Sequence, residues 1–343
     1  MCPYHHWSFD STGRFTGMKE KSEAQYPPSF QLDRLDLIPV KIDSHNGLIF
    51  GSLADDIIDL ADYLGDVRYF IDLLMDQGPN GMEYIPGRAP YTFKANWKLQ
   101  QDNGLDPYHV TSAHLSLLDV SKQRRASSGD VKTVRSRDWD RQQQARHHYF
   151  NFENGHAVLF SEPTEPEKRP VYRFLDELRA RVGEARATDM LYGCQIHIFP
   201  NLQLASEFAP IIRKFNPLSV DLTEMEIRCL GAIGESRADR ALRLRQFEDF
   251  FNASGMATPD DNVIYESCQR SFSSGSAPFL KGYARGAGLL EEGSNAEARR
   301  LGIRTRESLS VSARTTSEVN LYAPYREWTR RINAAADGRG LDA

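Results

Sequence analysis

"SVDLTEMEIRCLGAI", residues 219–233, alternates charge with apolar bulk: Glu224, Glu226 and Arg228 stand between Met225, Ile227 and Cys229. A period of two puts successive side chains on opposite faces of a strand, so one face meets water and the other is buried. Upstream, "GHAVLF" (155–160), "GCQIHIFPNLQLASEF" (193–208) and "APIIRKF" (209–215) are short, β-branched or aromatic, and broken by Pro, Asn and Gly. Such runs predict further antiparallel strands, with "NPLS" (216–219) as a hairpin connection and a sheet covered on one side.

Helical patterns flank these strands. "ADDIIDLADYLGDVRYFIDLLMDQG" (54–78) carries apolar residues at helical spacing and marks a shift in composition. The residues before it, 1–54, are turn-rich and strand-like, and "LDLIPVKIDSHNGLIFGSL" (35–53) predicts two short strands around a polar turn at Ser44 to Gly47. A small β domain over 1–54 and a larger domain over 55–343 follow. In "GESRADRALRLRQFEDFF" (234–251), Ser236 and Asp239 make a capping-box-like start, and Leu244, Phe247 and Phe251 share one stripe. "TPDDNVIYESCQRSF" (258–272) predicts a second helix, capped by Thr258, with Pro259 at its first position and Asp260 and Asp261 in its first turn. "NLYAPYREWTRRIN" (320–333) predicts a terminal helix, and the polar segment Ser121–His148 a solvated loop or docking surface.

Bulk properties exclude several classes. A net charge of −5 over 343 residues gives no reason to expect nucleic acid or an anionic membrane as partner. No run approaches the roughly 18 apolar residues of a membrane span, and "MCPYHHW" lacks a signal-peptide layout, which points to the cytoplasm. The cysteines at 2, 194, 229 and 268 are too scattered for a disulfide framework; three read as buried small hydrophobes, and only Cys2, in a C-x-x-H pair with His5, has company that could bind metal.

Chemistry concentrates in "DNGLDPYHVTSAH" (102–114), where Asp106, His109 and His114 form D-x2-H-x4-H. Two neutral imidazoles need a third ligand. With one carboxylate they make the facial triad that leaves positions open on Fe(II); zinc hydrolysis is the competing reading, and ordinary helix histidines behind an Asp106 cap the plainest one. Residues five apart on an α-helix lie roughly 140° apart, so joint ligation requires a π-bulge or a turn-like opening around Val110 to Ala113.

"NWKLQQDNGLDPYHVTSAH" (96–114) resembles the iron-binding segment of Rieske non-heme iron aromatic-ring-hydroxylating dioxygenase large subunits. "CPYHHWSFDSTGRF" (2–15) is similar to the second half of their Rieske motif, and "FFNASGMATPDD" (250–261) to their third-ligand region. The "DNGLD" spacing and "RQFEDFFNASGMATPDD" (245–261) most resemble the benzoate, toluate and anthranilate branch. The resemblance implies that His109, His114 and Asp261, with Asp260 as the alternative acid, bind a mononuclear Fe(2+), and that Asp106 hydrogen-bonds His109 and bridges to a neighbouring subunit's cluster. It implies that Cys2 and His5 are half of the two-Cys, two-His ligand set of a [2Fe-2S] Rieske cluster, in a chain that is N-terminally truncated. Two departures stand out: Pro107, where a small or flexible residue is expected, and His6, where the family has glycine.

The fold implied is α+β: a partial Rieske β domain, then a helix-grip (START-like) antiparallel sheet domain whose helices carry the iron. The activity implied is O2- and NADH-dependent cis-dihydroxylation of a benzoate-like aromatic acid. Implied partners are a small β subunit, an NADH-dependent flavin and iron–sulfur reductase, and a homotrimer of α subunits. A monooxygenase or demethylase of the same family, or a cluster-less ligand-binding relative, are the alternatives. For the substrate carboxylate, Arg213 is the candidate, since it shares strand parity with Ile211 and Phe215.

Overall fold

The alternation lies on an eleven-residue strand, Leu222–Ala232, in which even and odd positions are half-buried and buried in turn as far as Cys229, after which every residue is buried. In this computed structural model the described residues are 1–20, 26–27, 29–31, 35–128, 138–275, 284–312 and 315–336. They divide into two units, Met1–Asp62 and a larger one that begins at Tyr63.

The first unit holds two antiparallel hairpins. β1 (Ser8–Phe9) pairs with β2 (Phe15–Gly17), and β3 (Lys41–His45) with β4 (Leu48–Ser52). The second turn is Asn46-Gly47, both at positive φ (43° and 82°), as a two-residue turn that follows strand twist demands. His6 also has φ 58°, a left-handed conformation that glycine enters without strain, so the family's glycine at this place has a backbone reason.

The second unit is built on a ten-stranded sheet. Its strands are β5 (Met82–Tyr84), β6 (Tyr91–Phe93), β7 (His147–Asn151), β8 (Ala157–Ser161), β9 (Gly193–Ile198), β10 (Leu202–Ala205), β11 (Ile211–Ser219), β12 (Leu222–Ala232), β13 (Glu291–Glu292) and β14 (Glu307–Val311). They run in the order β13-β14-β7-β8-β9-β10-β11-β12-β5, with β6 also on β12, and all pairs are antiparallel. The helices are α1 (Leu60–Leu64), α2 (Arg68–Met75), α3 (Lys98–Asn103), α4 (Val110–Ala113), α5 (Leu115–Ser128), α6 (Trp139–Gln142), α7 (Leu175–Val182), α8 (Glu184–Asp189), α9 (Arg237–Phe250), α10 (Thr258–Ser273), α11 (Ala296–Leu301) and α12 (Tyr322–Ala336). The architecture is α+β, and among the described residues no helix is long and apolar enough to cross a membrane.

Several local expectations change. "NPLS" is no turn: β11 runs through it to Ser219, and the hairpin closes at Val220 and Asp221. Pro217 is tolerated because β10 pairs with β11 only as far as Lys214, so no ladder bond is lost on that side. The sheet is not covered on one face alone. β7 and β8 are buried at every position, because α2 lays Phe70 on the face that carries Phe150 and Phe160, with ring centroids 5.7 and 5.4 Å apart. Part of Ser121–His148 is regular structure: α5 reaches Ser128, and His147 and His148 open β7, while residues 129–137 lie outside the described set.

Both acid-rich helix starts reward inspection. Ser236 is the N-cap of α9, accepting from the Asp239 N–H at 3.1 Å and donating to its carboxylate at 2.7 Å. Ser236→Ala is expected to cost about 1 kcal/mol, read as a lower urea midpoint at unchanged slope; no shift would show that the cap carries no stability. Thr258 does not cap α10. It is already helical, and its hydroxyl donates to the Phe251 carbonyl at 3.1 Å, tying α10 to the end of α9 and fixing where the next acids point.

Candidate metal centre

Two elements far apart in sequence converge on one point. His109 precedes α4, His114 ends it, and Asp261 lies in the first turn of α10; one ligand atom from each falls within 4.8 Å of the others. His114 Nε2 is 3.3 Å and His109 Nε2 3.8 Å from Asp261 Oδ1. The opening that the five-residue spacing requires falls at His114 itself, one residue beyond Ala113. There φ −107° and ψ 40° leave the helical region before α5 begins. The break turns the His114 ring toward His109, and their centroids are 5.3 Å apart.

Each imidazole is held from behind. His109 Nδ1 meets Asp106 Oδ2 at 3.3 Å, and Asp106 is itself fixed by the Tyr108 N–H at 2.7 Å and the His109 N–H at 3.2 Å. His114 Nδ1 meets Asp260 Oδ2 at 3.3 Å. The two adjacent acids of α10 thus divide their work: one faces the Nε2 atoms, the other braces a ring. A carboxylate on Nδ1 fixes the tautomer whose Nε2 lone pair points inward, which is the form a metal takes up. Burial disfavours charge on His114, yet the Asp261 and Asp260 carboxylates outweigh it and raise the imidazole pKa. Two nitrogens and one oxygen with back-side carboxylates are a donor set that fits Fe(II) with coordination positions to spare.

Asn103 was not singled out by spacing, though the quoted motif contains it. Its amide donates to Asp261 Oδ1 at 3.0 Å and sits 3.1 Å from His109 Nε2. The helix that carries it is anchored on the sheet: Gln203 Nε2 donates to the Gln101 carbonyl at 3.1 Å, and the Tyr325 hydroxyl of α12 to Asp102 at 2.9 Å. A Cβ at Gly104 would lie 2.2 Å from the Gln203 amide, so any larger residue there displaces the side chain that anchors α3.

A cavity of about 260 Å³ opens beside the three residues, lined by His109, His114 and Asp261 and walled by Phe208, Phe250 and Phe251. Arg213 reaches the same cavity, its guanidinium 4.7 Å from the Phe251 ring centroid. It makes no side-chain hydrogen bond or ion pair with any described residue. Burial pushes the Tyr91 hydroxyl up to about 12, and the Arg213 charge opposes that push.

Cys2 and His5 belong to the first unit and are exposed. Backbone N–H groups of Tyr4 and His5 lower the Cys2 thiol pKa, which suits a thiolate ligand. Among the described residues no third ligand-type side chain gathers with them, so one Cys and one His are present where a Rieske cluster takes two of each.

Residues 82–298 match the profile of a family described as ring hydroxylating alpha subunit (catalytic domain). The chain is 35% identical over 337 residues to toluate 1,2-dioxygenase subunit alpha of Pseudomonas putida, covering 96% of this chain and 72% of that protein. It is 36% identical over 306 residues to the 2-halobenzoate 1,2-dioxygenase large subunit of Burkholderia cepacia, covering 88% of this chain and 65% of that one. Over 282 residues it is 36% identical to the anthranilate 1,2-dioxygenase large subunit of Acinetobacter baylyi, covering 79% of this chain and 59% of the relative. In fold it is similar to naphthalene 1,2-dioxygenase from Rhodococcus sp. bound to indole, with TM-score 0.75 and 22% identity over 97% of this chain and 75% of that one.

Proposed function

The chain belongs to the ring-hydroxylating dioxygenase alpha-subunit family, a family of oxidoreductases, and from that premise we propose that it is the terminal oxygenase subunit for cis-dihydroxylation of a benzoate-like aromatic acid. The observation that carries this reading is that one cavity holds both the His109, His114 and Asp261 set and a guanidinium, Arg213, with no ion pair among the described residues. The reaction consumes the acid, dioxygen, NADH and a proton and yields a cis-diol and NAD+. Its further assignments are an NADH-dependent flavin and iron–sulfur reductase as electron donor, a small β subunit, a trimer of α subunits, and Cys2 and His5 as Rieske ligands. His109, His114 and Asp261 would hold Fe(II), which would supply open coordination positions for the activation of dioxygen.

The chain's own residues do the positioning. Arg213 grips the carboxylate, its guanidinium held over the Phe251 ring at 4.7 Å from the centroid. Phe208, Phe250 and Phe251 exclude water from the ring. Asp106 and Asp260 hold the Nδ1 protons of the two histidines. Asn103 donates to Asp261 and keeps that carboxylate turned inward.

The direct test supplies hydrogen peroxide to the Fe(II)-loaded protein with benzoate. Peroxide carries two oxygens and both reducing equivalents, so benzoate plus peroxide balances to the diol with no electron donor. A benzoate cis-diol is the expected product; an iron-loaded protein that binds benzoate and yields none refutes the reading. Arg213→Ala is expected to weaken benzoate binding by about 10- to 100-fold while toluene, which has no carboxylate, is affected little. Equal losses for both ligands would mean that Arg213 supports the wall rather than reads the acid.

A further inference from the structure

Most polar side chains on the cavity wall are already engaged. Ser161 Oγ is 2.8 Å from His147 Nδ1, Glu207 meets Arg169 at 3.3 Å and the Gln142 amide at 3.1 Å, and Gln142 Oε1 accepts from Thr164 at 2.7 Å. Gln195 differs. It lines the cavity from β9, is half-buried, and its amide makes no hydrogen bond with any described residue. Its cross-strand partners, Leu159 on β8 and Ala205 on β10, are both apolar and buried. Neither amide atom of Gln195 is sealed from solvent, so the amide is open to a group bound in the cavity, which would take the place of water there.

The sheet register relates Gln195 to Arg213. Arg213 pairs with Gln203, and Gln203 with His197, two residues along β9 from Gln195 on the same face. Two strands at ~4.8 Å and two residues at ~3.4 Å separate the two Cα atoms by roughly 12 Å across a flat sheet. Both residues line the same cavity, so one bound molecule can meet both.

We propose that Gln195 is a specificity-determining residue which hydrogen-bonds an amino or hydroxyl substituent on the ring of the aromatic acid whose carboxylate Arg213 holds. The proposal rests on the aromatic-acid reading above. An amide offers a donor and an acceptor, so it pairs with either substituent. A methyl group of nearly the same size leaves the amide unpaired, and sites built for such a hydrogen bond discriminate strongly against analogues that lack it.

The test is equilibrium binding by calorimetry to the iron-loaded full chain, with 2- and 3-amino-, hydroxy- and methylbenzoates as probes. The protein is expected to bind the best amino or hydroxy acid at least about tenfold more tightly than its methyl counterpart. Gln195→Leu is expected to bring that ratio within twofold, and Gln195→Met, which keeps the length of the side chain, to do the same should the leucine variant unfold. A wild-type ratio near one, or a preference that survives both substitutions, overturns the proposal. Failure of the folded protein to bind any of these acids, benzoate included, overturns instead the aromatic-acid reading beneath it.

Discussion

Alanine at Asp261 is expected to strip the protein of iron while leaving it folded. Among the described residues Asp261 Oδ1 is the only carboxylate oxygen near both Nε2 atoms, at 3.3 and 3.8 Å, and its negative charge would offset the cation. Without it two neutral imidazoles remain, and nothing nearby substitutes: the Asp260 carboxylate is committed to His114 Nδ1, on the far side of the ring. After gel filtration against a mild chelator, wild-type protein is expected to retain about one iron per chain and Asp261→Ala less than a tenth of that. Asp260→Ala removes a brace rather than a ligand, so its affinity is expected to fall by about 10- to 100-fold and to be overcome by added Fe(II). Reversed ranking of the two variants would exchange their roles; equal retention by both would mean that iron binds elsewhere. Circular dichroism separates metal loss from unfolding.

Phe70→Ala is expected to be the most destabilising single truncation in the core under α2. Phe70 is fully buried, and its ring meets Phe150, Phe160 and Phe152 at centroid distances of 5.7, 5.4 and 6.3 Å. Those partners stand on β7, β8 and the segment between them, so the cavity left behind has rigid walls that cannot close on it. A loss of about 3–5 kcal/mol follows, read from urea unfolding by tryptophan fluorescence. Phe70→Leu fills much of the same volume and is expected to cost less than about 2 kcal/mol. A loss under 1 kcal/mol for the alanine variant would show that α2 is held by its other contacts.

What the sequence made legible was local. The period of two in Leu222–Ala232, the Ser236 cap and the Pro-Asp-Asp helix start all act within a few residues and are stated by the residues themselves. The five-residue gap between His109 and His114 even predicted a helix break, because straight helix geometry forbids the pair. Other features depend on partners that spacing does not announce. "NPLS" stays in a strand because of where β10 stops, and Thr258 bonds to α9 rather than to its own helix. Asn103 and Gln195 have ordinary neighbours in sequence, and they matter for what α10 and β11 bring near them. For Asn103 a usable signal existed: it stands in the same short motif as both histidines. For Gln195 the only signal was its parity with His197 on a strand, too weak to single it out.

The anchoring of α3 also has a consequence for biosynthesis. A six-residue helix is too short to persist alone in water, and this one is held by Gln203 from the sheet and by Tyr325 from α12. Asn103 and Asp261 are 158 residues apart, and Asp102 and Tyr325 are 223 apart. A ribosome-bound chain that has already released its histidines therefore offers iron only two loose imidazoles on an unanchored segment. On the iron-site reading, metal loading is expected late, after the sheet that anchors α3 is complete.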